Sequence, residues 1–271
     1  MTNARFLHDI KHLLPNRSDA LDFLSYLTGI PYDKLLSHMD EKFRSTSDPE
    51  PLIAELERGV PLAYVIGRRS FYGREFLITP DVLIPRYETE ILVEHALLNR
   101  PVENPRILDL CTGSGTILNT MLAELPSAEG VGVDISPDAL DVASMNSFKL
   151  GISGRASFIC ADIMNDISNI GTGYDMVLCN PPYVSEEEYK ALEQSVFFEP
   201  RQALVAEDLG FAFYKKLLDI VPYLCNKTWV SLLEAGAGQS GVLRTLYSGY
   251  KHSFISDLNG IERVLLWKSS S

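Results

Sequence analysis

Apolar residues follow two different rhythms along this chain, and the change of rhythm divides it. Over roughly the first 75 residues they recur at helical spacing, with no continuous run of the kind that builds a buried strand. Leu21, Phe23, Leu24 and Leu27 fit one helix, opened by a cap at Ser18 and stopped by Gly29. Pro31 to His38 and Pro51 to Arg58 predict two more, each with Pro near its start. Between Ser70 and Ile84 the pattern shortens to Ser70-Phe71-Tyr72 and Glu75-Phe76-Leu77-Ile78, separated by Gly73-Arg74. Short aromatic and apolar runs flanking a Gly predict a β-hairpin. An amphipathic helix then reaches Leu98, and Asn104-Pro105 ends the connection.

From Arg106 onward strand and helix alternate. Strands are predicted at Arg106 to Leu110, Gly130 to Val133, Phe158 to Ala161, Met176 to Cys179 and Thr228 to Leu233. The first is followed by a Gly-bearing turn and a helix to Leu125; the second by Ser136-Pro137-Asp138, which supplies a cap, a Pro at the first helical position and an acid in the first turn. That helix runs to Leu150 and stops at Gly151, and two later helices span Phe211 to Leu224 and Gln239 to Tyr247. His252 to Ile255 and Arg263 to Trp267 close the set as two more strands. Alternation of this kind predicts an α/β fold, a doubly wound, mostly parallel seven-stranded sheet. The expected organisation is a helical domain over 1–72, suited to recognising a macromolecular partner, a hairpin linker over 73–84 and the sheet domain over 85–271.

Composition narrows the function. With 46% hydrophobic and 22% charged residues the chain is an ordinary globular protein. Its 24 Lys and Arg against 36 Asp and Glu give a net charge of −12, and no dense basic run offsets it. Such a surface repels nucleic acid at long range, which weighs against a polynucleotide substrate. Cys111, Cys160, Cys179 and Cys225 include no C-x-x-C pair and are expected to be buried free thiols of a reducing cytosol. His8 and His12 have ligand spacing for one helix face, but no nearby carboxylate completes a set, so a solvated face is expected and no metal. No apolar run approaches the ~18 residues of a membrane span. The polar residues Arg5, His8, Asp9, Lys11 and His12 interrupt the N-terminus too often for a secretory signal, so a cytoplasmic location is expected.

The candidate chemistry centres on Asn180-Pro181-Pro182-Tyr183, which follows an apolar run and so belongs where a buried strand ends. In open α/β sheets that edge is where ligands bind. The Asn amide oxygen is an acceptor, and each Pro keeps its carbonyl while lacking an N–H. Tyr183 adds a flat face. Acceptors beside an aromatic wall suit a planar –NH2, either the amide of Gln or Asn or the exocyclic amine of a base; the plainer reading is a Pro-Pro turn closing a strand. Upstream, the turn Cys111-Thr112-Gly113-Ser114-Gly115 joins a strand to a helix N-terminus, which lets backbone approach a ligand. Leu118 stands where a dinucleotide fingerprint would place its third Gly. Asp134 ends the next strand, where a carboxylate can accept from both ribose hydroxyls of a nucleoside, and Asp162 ends the third, where it could accept from an adenine amino group. Each acid alone is more often a strand-end cap. The succession of Gly turn, Asp134, Asp162 and Asn180 at successive strand ends is much harder to obtain by accident.

With these residues the chain resembles the class I S-adenosylmethionine-dependent methyltransferases, and more closely the family that methylates the side-chain nitrogen of Gln in class I peptide chain release factors. The resemblance also rests on Gly59-Val60-Pro61-Leu62-Ala63-Tyr64 with Gly67 and Phe71, and on Leu83-Ile84-Pro85-Arg86 with Thr89-Glu90. Farther on it includes Glu199-Pro200 with Ala203-Leu204, and Asp257-Leu258 with Gly260 and Arg263-Val264. It implies that Cys111, Thr112, Gly113, Ser114, Gly115, Asp134, Asp162, Ile163 and Asn180 bind S-adenosylmethionine. It further implies that Asn180, Pro181, Pro182 and Tyr183 hold the substrate amide, with Asn180, Pro181 and Tyr183 catalytic, and that a release factor is the partner. Three positions depart from the family pattern: Cys111 stands where Gly is usual, Tyr87 where Pro is usual, and Ile163 where many relatives carry an aromatic. On the residues alone, an adenine-N6 DNA or guanine-N2 RNA methyltransferase uses the same kind of clamp, and a nucleoside-binding scaffold uses the same turn.

Overall fold

A computed structural model describes residues 1–269 of the chain. The chain forms two compact units, one of Met1–Arg68 with Gln194–Phe198 and one of Arg69–Glu193 with the residues from Glu199 onward.

The first unit is helical: α1 (Asn3–Asp9), α2 (Arg17–Thr28), a 3₁₀ segment (Tyr32–His38), α3 (Glu50–Glu57) and α4 (Leu62–Val65). Phe6, Phe23, Leu24, Leu27, Leu35, Leu56 and Leu62 point inward and build its core. The start of α2 is capped by Asn16, whose side chain accepts from the Ser18 N–H at 2.8 Å, and not by Ser18 itself. Gly29 ends it in the left-handed region, as its lack of Cβ allows. The expected His8/His12 face does not form, because α1 ends at Asp9 and leaves His12 beyond it.

In the second unit, strands β1 (Arg68–Phe71) and β2 (Arg74–Leu77) form the hairpin. Its turn is Tyr72-Gly73, one residue earlier than expected, with φ of 49° and 69°. Two successive left-handed residues match the right-handed twist of hairpin strands, and the Tyr72 N–H is held by the Glu90 carboxylate at 2.8 Å. There follow α5 (Tyr87–Asn99), β3 (Arg106–Leu110), α6 (Thr116–Glu124), β4 (Glu129–Asp134), α7 (Pro137–Lys149), β5 (Ala156–Cys160) and β6 (Tyr174–Cys179). The chain then forms the short α8 (Glu186–Tyr189), α9 (Ala212–Leu224), β7 (Cys225–Glu234), α10 (Ser240–Leu246), β8 (Lys251–Ser256) and β9 (Glu262–Lys268).

The seven-stranded sheet runs β5-β4-β3-β6-β7-β9-β8. β3 to β7 pair in parallel, and β9 pairs antiparallel with both β7 and β8. The chain therefore winds outward from β3 to β5, then returns to lay β6 on the other side of β3. That reversal opens a crevice between the C-terminal ends of β3 and β6. Leu110 pairs with Cys179, so Cys111 and Asn180 leave the sheet side by side. A core of Leu108, Val133, Val177, Tyr214, Leu217, Leu233 and Trp267 packs behind this edge. Of the cysteines only Cys179 is buried; Cys160 is exposed because it ends an edge strand, contrary to the expectation of four buried thiols.

Candidate active site

The glycine turn is held from beneath by a buried acid. Asp109, on β3, accepts from the Thr112 hydroxyl at 2.6 Å and from the Leu118 N–H at 3.3 Å, tying the turn to the first turns of α6. Burial pushes the Asp109 carboxyl up to about 7, although both hydrogen bonds act the other way. Cys111 takes φ of 57°, so the backbone that Gly usually supplies is retained with a Cβ in place. Gly113 is also left-handed at φ 53° and open on its free side, whereas Gly115 faces α7: a Cβ there would stand 2.9 Å from that of Ala143.

Asp134 closes the turn from β4. It accepts from the Gly113 N–H at 2.8 Å and from the Ser136 N–H at 3.0 Å, and it lines the cavity. Asp162 lies two residues beyond β5 instead of ending it, and accepts from the Met164 N–H at 2.9 Å and the Asn165 amide at 2.6 Å. Ile163 is buried beside it and lines the same cavity. Opposite them, the buried Glu199 accepts from Arg86 at 2.5 Å and from the Ile84 N–H at 3.1 Å. This joins the 83–86 segment, with Leu83 and Pro85, to the Pro200–Ala203 segment across the cavity. Tyr87 occupies the first position of α5, where Pro is tolerated because the N–H has no helical partner, so the substitution leaves the helix start intact. Its ring packs against the Arg69 guanidinium instead.

One cavity thus brings together Cys111, Thr112, Gly113, Ser114, Asp134, Asp162, Ile163, Asn180 and Pro182. Gly115, Pro181 and Tyr183 do not line it. Gly115 is used for helix packing, and Tyr183 faces a neighbouring hollow with Val184, Leu192, Gly236 and Gln239. Tyr183 is pinned there at both ends. Its carbonyl accepts from the Gln239 amide at 3.0 Å, and its hydroxyl, pushed well above its ordinary pKa by burial, donates to Glu234 at 3.4 Å.

Sequence reasoning missed the residues behind Asn180. The Asn180 Nδ2 donates to the Thr89 hydroxyl oxygen at 3.3 Å, and the Thr89 hydroxyl donates to Glu234 Oε2 at 2.6 Å. Glu234 ends β7 fully buried, and burial pushes its carboxyl up to about 7; Glu88 adds to the rise, while the Thr89 and Tyr183 hydrogen bonds and Arg263 oppose it. Thr89-Glu90 and Arg263 stood in the quoted motifs without a role, and Glu234 had no signal beyond ending a strand. Asn146 was also missed: on α7, it exchanges hydrogen bonds with Leu77 and donates to the Ser114 carbonyl at 2.9 Å, linking hairpin and glycine turn.

The fold and the cavity at its switch point define a methyltransferase of the class I type. Residues 87–208 match the family model described as "Methyltransferase small domain". The chain is similar to a methyltransferase from Pyrococcus furiosus, at 13% identity and a TM-score of 0.55 over 83% of this chain and 100% of that one. It is also similar to the hMettl16 catalytic domain, at 15% identity and a TM-score of 0.56 over 83% and 94%. At these identities the likeness establishes the fold alone. The release factor glutamine methyltransferase of Bacillus subtilis (strain 168) is 36% identical over 89% of this chain and 88% of its own length. That of Salmonella typhimurium (strain LT2) is 34% identical over 92% and 90%. The chain belongs to the family of release factor glutamine methyltransferases. No helix among the described residues is long and apolar enough to cross a membrane.

Proposed function

We propose that this protein methylates the side-chain amide nitrogen of the Gln in the Gly-Gly-Gln motif of class I peptide chain release factors, in the cytoplasm, with S-adenosylmethionine as donor. The observation that carries the reading is the shared cavity: Asn180 and Pro182 open onto the same space as the glycine turn, Asp134 and Asp162.

The residues present fit the donor. Asp134 and Asp162 keep acceptor capacity for hydroxyl and amino groups, Ile163 offers an apolar face, and the open side of Gly113 admits a close approach. When bound, S-adenosylmethionine supplies an electrophilic methyl group and departs as a neutral thioether. Asn180 Oδ1, at the cavity wall, accepts an N–H bond of the substrate amide and holds its nitrogen in line for displacement; the second acceptor assigned from sequence, the Pro181 carbonyl, does not line this cavity. A carboxamide nitrogen is a poor nucleophile because its lone pair is delocalised, so catalysis comes from positioning and fixed dipoles. The nitrogen's extra proton leaves after transfer. Tyr183, assigned from sequence to fix the amide plane, acts here from behind the cavity through Glu234.

A labelled donor, incubated with a release-factor fragment bearing Gly-Gly-Gln, should label the fragment, and changing that Gln to Ala should abolish the label. Asn180→Ala should lower turnover by roughly two orders of magnitude, the typical loss for one preorganised hydrogen-bonding group. Label on duplex DNA instead of the fragment would overturn the reading.

A further inference from the structure

An Asn side chain can present either its oxygen or its NH2 to a ligand, and only the oxygen can accept from a substrate amine. What fixes that choice at Asn180 is Thr89, itself at the cavity wall, and Glu234 behind it. The Thr89 hydroxyl has one proton, and it is committed to Glu234 Oε2 at 2.6 Å. Toward Asn180, 3.3 Å away, Thr89 therefore offers only a lone pair, and Asn180 answers with Nδ2. Its Oδ1 is thereby left for the cavity that Asn180 lines.

We propose that Thr89 and Glu234 are positioning residues for this methyltransferase, and that ionised Glu234 sets the Asn180 amide in its accepting orientation. The inference rests on the proposed reaction for its consequence in catalysis, but its geometry stands without it. A protonated Glu234 donates to Thr89, which frees the Thr89 proton to turn toward Asn180. The amide then gains by rotating, with its oxygen toward Thr89 and its NH2 toward the substrate nitrogen. Two N–H groups facing one another cannot bond, so the clamp fails.

The surroundings of Glu234 place this exchange near neutral pH. Glu88 on α5 raises its pKa, while Arg263 on β9 lowers it and shares its charge with Asp257 at 3.1 Å. Tyr183 donates to Oε1 from the loop after β6, and Tyr214 on α9 donates to the Glu234 backbone carbonyl at 2.7 Å. Both tyrosine hydroxyls are pushed up by burial and keep their protons. Glu234 is thus the group in this network that changes charge near neutrality, with its carboxyl at about 7.

Two readouts test this in the full-length protein. In nuclear magnetic resonance of the free enzyme, the Asn180 side-chain NH2 signals should shift with a midpoint near pH 7. The shift should vanish in Glu234→Gln, which has no proton to lose. In methylation of the Gly-Gly-Gln fragment, wild-type kcat should fall on the acid side of the same midpoint, and Glu234→Gln should flatten that limb. Thr89→Val, isosteric but without the hydroxyl, should lower kcat by roughly 10- to 100-fold at pH 8 with little change in donor affinity, and Thr89→Ser should restore it. Asn180 signals that do not move between pH 5.5 and 8.5, or a Thr89→Val enzyme with wild-type kcat, would overturn the proposal. A wild-type enzyme that leaves the fragment unlabelled while its Asn180 signals titrate would sink the proposed substrate and uphold the positioning network.

Discussion

Side chains at the ends of β3, β4 and β6 were legible one at a time, because a strand end in a parallel sheet has few geometric options. Cys111, Asp134 and Asn180 follow directly from where the apolar runs stop. The Thr89 and Glu234 pair was not legible, since these residues lie 145 positions apart and meet only when α5 packs beside β7. Tyr183 shows the converse: its type suggested a wall of the substrate site, yet hydrogen bonds to Gln239 and Glu234 turn it to the adjoining hollow. Asp134 carries a prediction at this scale. Asp134→Asn keeps the shape but gives up the charge and one acceptor, so affinity for S-adenosylmethionine should fall by roughly 10- to 100-fold, the worth of a hydrogen bond to a charged group. Calorimetric titration of the donor, without any protein substrate, measures it.

At the scale of elements, the periods of the hydrophobic pattern were sufficient for the sheet, whereas α1 and α4 had no expected counterpart and the helix expected over Pro31 to His38 is a 3₁₀ segment. Every strand of the seven-stranded sheet overlaps a segment expected from sequence, and the misses there are at boundaries, where hydrogen bonding and not hydrophobicity decides. β7 begins at Cys225, three residues before the expected Thr228, because a polar and exposed start still pairs with β6. The two turn glycines separate the demands of packing and binding. In Gly115→Ala the new methyl would lie 2.7 Å from the Asn119 amide and 2.9 Å from the Ala143 Cβ, at a left-handed φ of 75°. Overpacking and backbone strain together should cost about 2–4 kcal/mol of stability. Gly113→Ala meets nothing within 4 Å, so it should cost only about 1 kcal/mol and act instead on donor affinity, because Gly113 lines the cavity. Urea denaturation of the two variants, beside donor titrations, distinguishes them.

For the molecule as a whole, the buried acids set an unusual dependence on pH. Asp109 and Glu234 hold their protons to about 7 in the fold, and in the unfolded chain they release them near 3.8 and 4.5. Between those values the folded state binds more protons, so stability falls as pH rises and levels off above about 7. Ionising each group costs about 3 to 4 kcal/mol of stability across that window. The Asp109 Oδ1, buried with no hydrogen-bond partner, accounts for why ionisation is costly there. The urea midpoint should therefore be higher at pH 5 than at pH 7.5, and Asp109→Asn with Glu234→Gln should flatten the difference. A midpoint that rises with pH over this range would contradict it. Catalysis and stability then pull in opposite directions at Glu234: the ionised form orients Asn180 and weakens the fold.

The sequence by itself determined the α/β alternation, the order of strands and helices, and the strand ends at which ligand-binding groups must appear. Those are local matters, written in the period of apolar residues and in Gly and Pro. Only the tertiary structure decided which of those groups share a cavity and which face of Asn180 is offered there. That choice depends on one proton between Thr89 and Glu234, and hydrogen-bond partners so distant along the chain are set by packing and leave no period to read.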